Sequence, residues 1–157
     1  MPDRSVPLTK EGLAKLQEEL DYLRNVRRPQ VAERIHQSKE LASTQNNAEY
    51  DDAKNEQAFV EGRILTLERL IQNAVLIDEE EAHHASRVQL GSDVVVLDEN
   101  GEKRTFTIVG FTEADPKVGK ISNESPVGRA LLGHRKGDVV EVVVPAGVKK
   151  LTILEIK

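Results

Sequence analysis

Leu13, Leu16, Leu20 and Leu23 recur at steps of three, four and three, and Ala53, Gln57, Val60, Ile64, Leu67, Ile71 and Ala74 alternate steps of four and three. Such spacing is the seam of a coiled coil, so each segment is read as a helix with one apolar stripe. Val31 and Ile35 continue a shifted stripe beyond Pro29. Proline removes a backbone donor and should bend the helix there; the alternative is two helices broken at Pro29. Between the two stripes lies Glu40 to Tyr50, where the spacing fails and Ser43, Thr44, Gln45, Asn46 and Asn47 take over. Side chains of this kind compete with helical backbone bonding, so a turn is expected, and two helices joined by a short polar turn fold back as an antiparallel hairpin. Arms of about 30 residues would reach roughly 45 Å. That is more length than stability requires, so the reach itself is read as functional.

Thr9 suits the N-cap of the first arm, with Glu11 in its first turn and Leu8 and Leu13 at the positions of a hydrophobic staple. After the second arm, Asp78 to Ser86 is charged and non-periodic. The expected division is therefore a hairpin over 1–77 with its tip at 41–47, a linker over 78–86, and a second domain over 87–157. In that domain the period changes to two. Asp93 to Leu97 and Arg104 to Val109 read as strands about an Asn100-Gly101 turn, and Lys120 to Ser122 as a short extended piece. Pro126 opens a short helix over Val127 to Leu132, ended by Gly133, and Val139 to Val144 pairs with Lys149 to Ile156 around Pro145-Ala-Gly147. The fold class is α+β: a long antiparallel coiled-coil hairpin, then a compact, mostly antiparallel sheet with one short helix.

Composition narrows the chemistry. The net charge is −5, so no global basic field draws the chain to nucleic acid or acidic membrane. Cysteine is absent, which excludes disulfides, thiolate catalysis and cysteine-based zinc sites. The start of the sequence lacks the apolar run of a signal peptide and no stretch is long and apolar enough to span a bilayer, so a cytoplasmic protein with no membrane partner is expected. Gly119-Lys120-Ile-Ser122 resembles the end of a phosphate-binding loop, but Ala114 stands where that loop needs glycine. His83 and His84 lack a further ligand at metal spacing and are read as linker residues. No serine–histidine–acid arrangement has motif context, so no catalytic set is assigned. Glu49, Asp51 and Asp52 open the second arm, either as first-turn acids that complement the helix dipole or as a metal-seeking tip. Arg24, Arg27, Arg28, Arg34, His36 and Lys39 run toward the tip, either as a solvated face with glutamate partners or as contacts for a nucleic-acid backbone.

Several stretches resemble one family. Leu20-Asp-Tyr-Leu-Arg-Asn-Val-Arg-Arg-Pro29, Asn47-Ala-Glu-Tyr50, Ala53-Lys-Asn-Glu-Gln57 and Glu61-Gly-Arg-Ile64 are similar to the arms of bacterial Gre transcript-cleavage factors of the GreA type. Ile121-Ser-Asn-Glu-Ser-Pro-Val-Gly-Arg-Ala-Leu-Leu-Gly133 resembles the family's C-terminal signature. The resemblance implies an FKBP-like second domain that docks on RNA polymerase at the rim of its secondary channel, with Ser122, Glu124 and Pro126 in the contacting loop. It implies that the hairpin passes down the channel to the nascent RNA 3′ end, with the basic run Arg24, Arg27, Arg28, Arg34 and Lys39 near that RNA. Tip acids of the family help polymerase cleave backtracked RNA at its own Mg²⁺ site, so the factor carries no cofactor or metal and is an accessory protein, expected to be a monomer.

Here the tip departs from the pattern. The family's Gly-Asp-Leu-(Ser or Lys)-Glu is replaced by Ala42-Ser43-Thr44-Gln45-Asn46, which puts Ser43 and Asn46 where the two acids belong. Glu40 and Glu49 are the candidate substitutes from nearby, each of which would have to reach from a helical position. Cleavage stimulation is expected to be weak or lost, the alternative role being a channel-occupying modulator or inhibitor of polymerase. A peptidyl-prolyl isomerase, suggested by the FKBP-like fold alone, would need an aromatic-lined pocket, and the second domain has only Phe106 and Phe111.

Overall fold

The computed structural model describes residues 4–41 and 48–157. The chain separates into two compact units, 13–73 on one hand and 1–12 with 74–157 on the other. The hairpin expected over 1–77 is wider than this helical unit at both ends. The stretch read as a linker is partly helical, because Asp78 caps it by accepting a hydrogen bond from the Glu81 N–H at 3.0 Å.

In the helical unit, α1 (Lys10–Tyr22) runs through a π turn (Leu23–Arg27) into α2 (Arg28–Leu41), and α3 (Ala48–Gln72) returns beside α2. The first arm is not broken at Pro29. The N–H of Arg28 reaches back to the Leu23 carbonyl, a five-residue step that widens the helix just before the residue with no N–H to give. The same wide turn shifts the stripe from Leu20 and Leu23 to Val31 and Ile35. Leu20, Val31, Val60, Ile64 and Leu67 form the buried seam, flanked by Leu16, Leu23, Ile35 and Ile71. Toward the tip, small residues take over the buried positions: Ala53, and Ser38, whose hydroxyl donates to the Arg34 carbonyl at 2.8 Å.

The second unit has a five-stranded sheet in the order β5-β4-β3-β7-β6. Its strands are β3 (Asp93–Leu97), β4 (Lys103–Val109), β5 (Lys120–Ser122), β6 (Val139–Val144) and β7 (Gly147–Ile156). All neighbours are antiparallel except β4 and β5, so the mostly antiparallel sheet stands as expected. Alternation buries Val94 and Val96 of β3 with Val140 and Val142 of β6 and Leu151 and Ile153 of β7, and α5 (Pro126–Leu131) adds Leu131 to this core. Gly101 and Gly133 take positive φ at the turns where the sequence placed them.

Two features of this unit were not expected. β1 (Val6–Leu8) pairs in parallel with β2 (Ala74–Leu76), in the register Val6 to Ala74. Ala74, read as the last residue of the helical stripe, therefore belongs to a strand. The second is a short helix, α4 (Glu79–His84), which buries Ala82.

Candidate functional site

Ser122 to Pro126 forms a self-bonded turn between β5 and α5. The Ser122 hydroxyl accepts from the Glu124 N–H at 3.0 Å, and the Ser122 carbonyl accepts from the Ser125 hydroxyl at 2.6 Å. Ser125 is the N-cap of α5: its hydroxyl accepts from the Gly128 N–H at 3.1 Å, and Pro126 fills the first helical position, where a missing N–H costs nothing. Gly128 is required by packing, since a Cβ there would lie 2.0 Å from the Ser122 carbonyl oxygen. The turn is thus rigid in its backbone while Glu124 and Pro126 remain exposed. This is the geometry of a presenting loop.

The side chain of Glu124 is held by a residue that no sequence motif marks. Arg4, two residues before β1, forms an ion pair with Glu124, and its guanidinium carbon lies 5.1 Å from the centre of the Phe111 ring. The only sequence signal for this arm was Val-Pro-Leu, too short and too proline-marked to be read as a strand.

On the helical unit the basic run is largely compensated by acids of the other arm. Arg28 forks onto Glu61 with two bonds of 2.8 Å, Arg24 reaches Glu68 at 2.7 Å, and Arg34 reaches Glu56 at 2.6 Å. Arg27 also pairs with Glu56. The hydrogen bonds from Arg28 hold the Glu61 carboxyl below the usual carboxylate range and push the Arg28 guanidinium up in turn. Lys39 is exposed in the last turn of α2.

Ser43 and Asn46 lie outside the described residues, as does the rest of 42–47. Of the flanking acids, Glu40 is 3.2 Å from the His36 ring and Glu49 is 4.0 Å from Arg34, each facing a basic group of its own hairpin. Glu49 and Asp51 occupy the first turn of α3, where the dipole favours them. Among the described residues no group of three or more histidines and carboxylates stands close enough to hold a metal ion, and His83 and His84 are exposed at the end of α4.

A cleft of about 230 Å³ opens beside the sheet, floored by Phe106, Val127, Val142, Val144 and Leu151 and edged by Asp98, Arg104 and Lys149. Phe106 is the one aromatic residue in its lining, and Phe111 stands under Arg4 instead. No helix among the described residues is long and apolar enough to cross a membrane.

Residues 6–76 match the family described as "Transcription elongation factor, N-terminal", and residues 82–157 match "Transcription elongation factor, GreA/GreB, C-term". Transcription elongation factor GreA of Thermoanaerobacter pseudethanolicus is 55% identical over 155 residues, covering 98% of each chain. The GreA of Chloroflexus aurantiacus is 48% identical over 158 residues and the whole of both chains. Among solved structures, GreA factor homolog 1 (Gfh1) of Thermus thermophilus is 32% identical, with a TM-score of 0.46 over 98% of this chain and 99% of that one. With both halves matched in order and end-to-end relatives at such identity, the chain belongs to the GreA/GreB family of transcription elongation factors.

Proposed function

We propose that this protein docks on bacterial RNA polymerase through the Ser122, Glu124 and Pro126 loop, enters the secondary channel with its hairpin, and occupies the channel with little or no stimulation of RNA cleavage. The observation that carries the second half is the charge at the tip. Ser43 and Asn46 are neutral, and the acids beside them, Glu40 and Glu49, each face a basic group of the hairpin. Mg²⁺ is a hard cation that gives up its water only to anionic or strongly polar oxygen, and neutral hydroxyl and amide dipoles are poor replacements for carboxylates. On this reading the cleavage chemistry is left to polymerase.

Docking is favoured by the rigid turn that keeps Glu124 and Pro126 exposed. The basic run fits a place near extruded RNA only by exchange of partners, because phosphate would have to replace Glu61, Glu68 or Glu56 on the arginines. Such contacts are salt-dependent and carry no sequence preference.

The experiment is to add the protein to a stalled, backtracked elongation complex and follow the RNA. The expected result is slow cleavage, close to that of polymerase alone, together with a dose-dependent block of an active cleavage factor. Rapid cleavage by the unmodified chain would overturn the reading of the tip. Failure to compete would overturn the reading of the channel.

A further inference from the structure

We propose that Arg4 is part of the polymerase-docking surface, as the positioning residue that holds the Glu124 carboxylate; this rests on the docking reading above. The placement of Arg4 follows from a close backbone approach. Gly110 lies against β1 so tightly that a Cβ there would stand 2.2 Å from the Pro7 carbonyl oxygen. That contact lays the strand along the segment that carries Phe111, and the chain just before β1 then brings Arg4 over the Phe111 ring, 5.1 Å from its centre. From there the guanidinium reaches Glu124. Arginine is suited to both contacts at once, because its planar face stacks on a ring while its edge donates to a carboxylate.

As a device for stability this arrangement is weak. The Arg4 and Glu124 side chains are 67% and 43% exposed, and exposed pairs add little to folding. Its effect is on orientation. The turn fixes the Glu124 backbone through Ser122, and Arg4 fixes the side chain, so one acid is presented in one direction. A carboxylate accepts more than one donor, so holding by Arg4 is compatible with a donor from the partner. The N-terminal arm and the C-terminal signature thus build one surface although 120 residues separate the two side chains in sequence.

The test is equilibrium binding of the full chain to core RNA polymerase for the parent, Arg4→Ala, Arg4→Lys, Glu124→Gln and the double variant Arg4→Ala/Glu124→Gln. Arg4→Ala is expected to weaken binding about two- to fivefold, the range set by one exposed ion pair. Arg4→Lys should recover part of that loss, and the double variant should bind no more weakly than Glu124→Gln alone. Parent-like binding by Arg4→Ala overturns the proposal. So does a double variant whose loss equals the full product of the single losses, because Arg4 would then act independently of Glu124. If Glu124→Gln itself binds like the parent, the docking reading falls, and this inference falls with it.

Discussion

Glu113 accepts two hydrogen bonds from Thr9, one from its backbone N–H at 2.9 Å and one from its hydroxyl at 2.6 Å. Thr9 in turn caps α1, its hydroxyl oxygen accepting from the Gly12 N–H at 3.0 Å. The N-cap expected from sequence is therefore itself held by an acid far along the chain, and that acid also lies where the dipole of α1 favours negative charge.

The first prediction follows from this pair. Thr9→Ala and Glu113→Ala should each lower stability by about 1–2 kcal/mol, the range for a lost cap or a part-buried charged hydrogen bond. Because the two share one network, the double variant should lose clearly less than the sum. Urea unfolding of the four proteins checks it, and strict additivity would show that the two contacts do not cooperate.

Gly128→Ala is expected to be costly for a different reason. The new methyl would press on backbone, the Ser122 carbonyl at 2.0 Å, and not on a side chain that can swing away. A loss of about 1–3 kcal/mol is the usual result of such crowding. The shift should be visible in thermal melting. The spectroscopic signals of Ser122 and Ser125 should move with it, since their turn is what the methyl displaces. Gly62→Ala, where nothing lies within 4 Å of the new atom, serves as the control and should be neutral or stabilising.

A pH dependence follows from Arg28 and Glu61. The folded-state pKa of Glu61 is lowered, chiefly by its hydrogen bonds from Arg28. A lowered carboxylate contributes stability that is complete above the ordinary glutamate range and lost as pH falls through the folded value. The stability difference between the parent and Glu61→Gln should then be constant near about pH 7 and shrink below about pH 4.5. It should also shrink in high salt, since both partners are exposed. Unfolding midpoints across a pH series check this. A difference that grows on acidification would contradict the assignment.

Much of this architecture could be read from spacing alone. Stripes at helical steps and alternation at period two depend on burial of one face, and burial is what the sequence records most directly. The β1–β2 pair has no signature in the sequence because three residues are too few to show alternation. Ala74 was misplaced since one alanine fits the end of a helical stripe as well as a short strand. The partners of the basic run were legible only as a possibility: Glu56, Glu61 and Glu68 are spaced to face arginines, but which arginine each meets depends on the register of two arms. The contact of Arg4 with Phe111 and Glu124 had no local signal at all, being made by a tertiary approach at Gly110.

The last prediction concerns the tip and follows from charge. Under the proposed function, a factor that speeds RNA cleavage by polymerase does so by bringing anionic oxygen to a doubly charged cation. The sequence places a hydroxyl at Ser43 and an amide at Asn46, with intact family-like arms on both sides. Ser43→Asp with Asn46→Glu should therefore confer cleavage stimulation that depends on Mg²⁺, in a chain whose docking loop and seam are untouched. Affinity for polymerase should stay within about twofold of the parent, because the Ser122 to Pro126 surface is distant in sequence and unchanged. Each single variant should give only part of the effect, since one carboxylate supplies half of the added charge. The comparison is cleavage rate in a backtracked complex across a Mg²⁺ titration, for the parent, both single variants and the double. Equal rates for parent and double variant, at equal occupancy of polymerase, would show that charge at Ser43 and Asn46 is not what limits this tip.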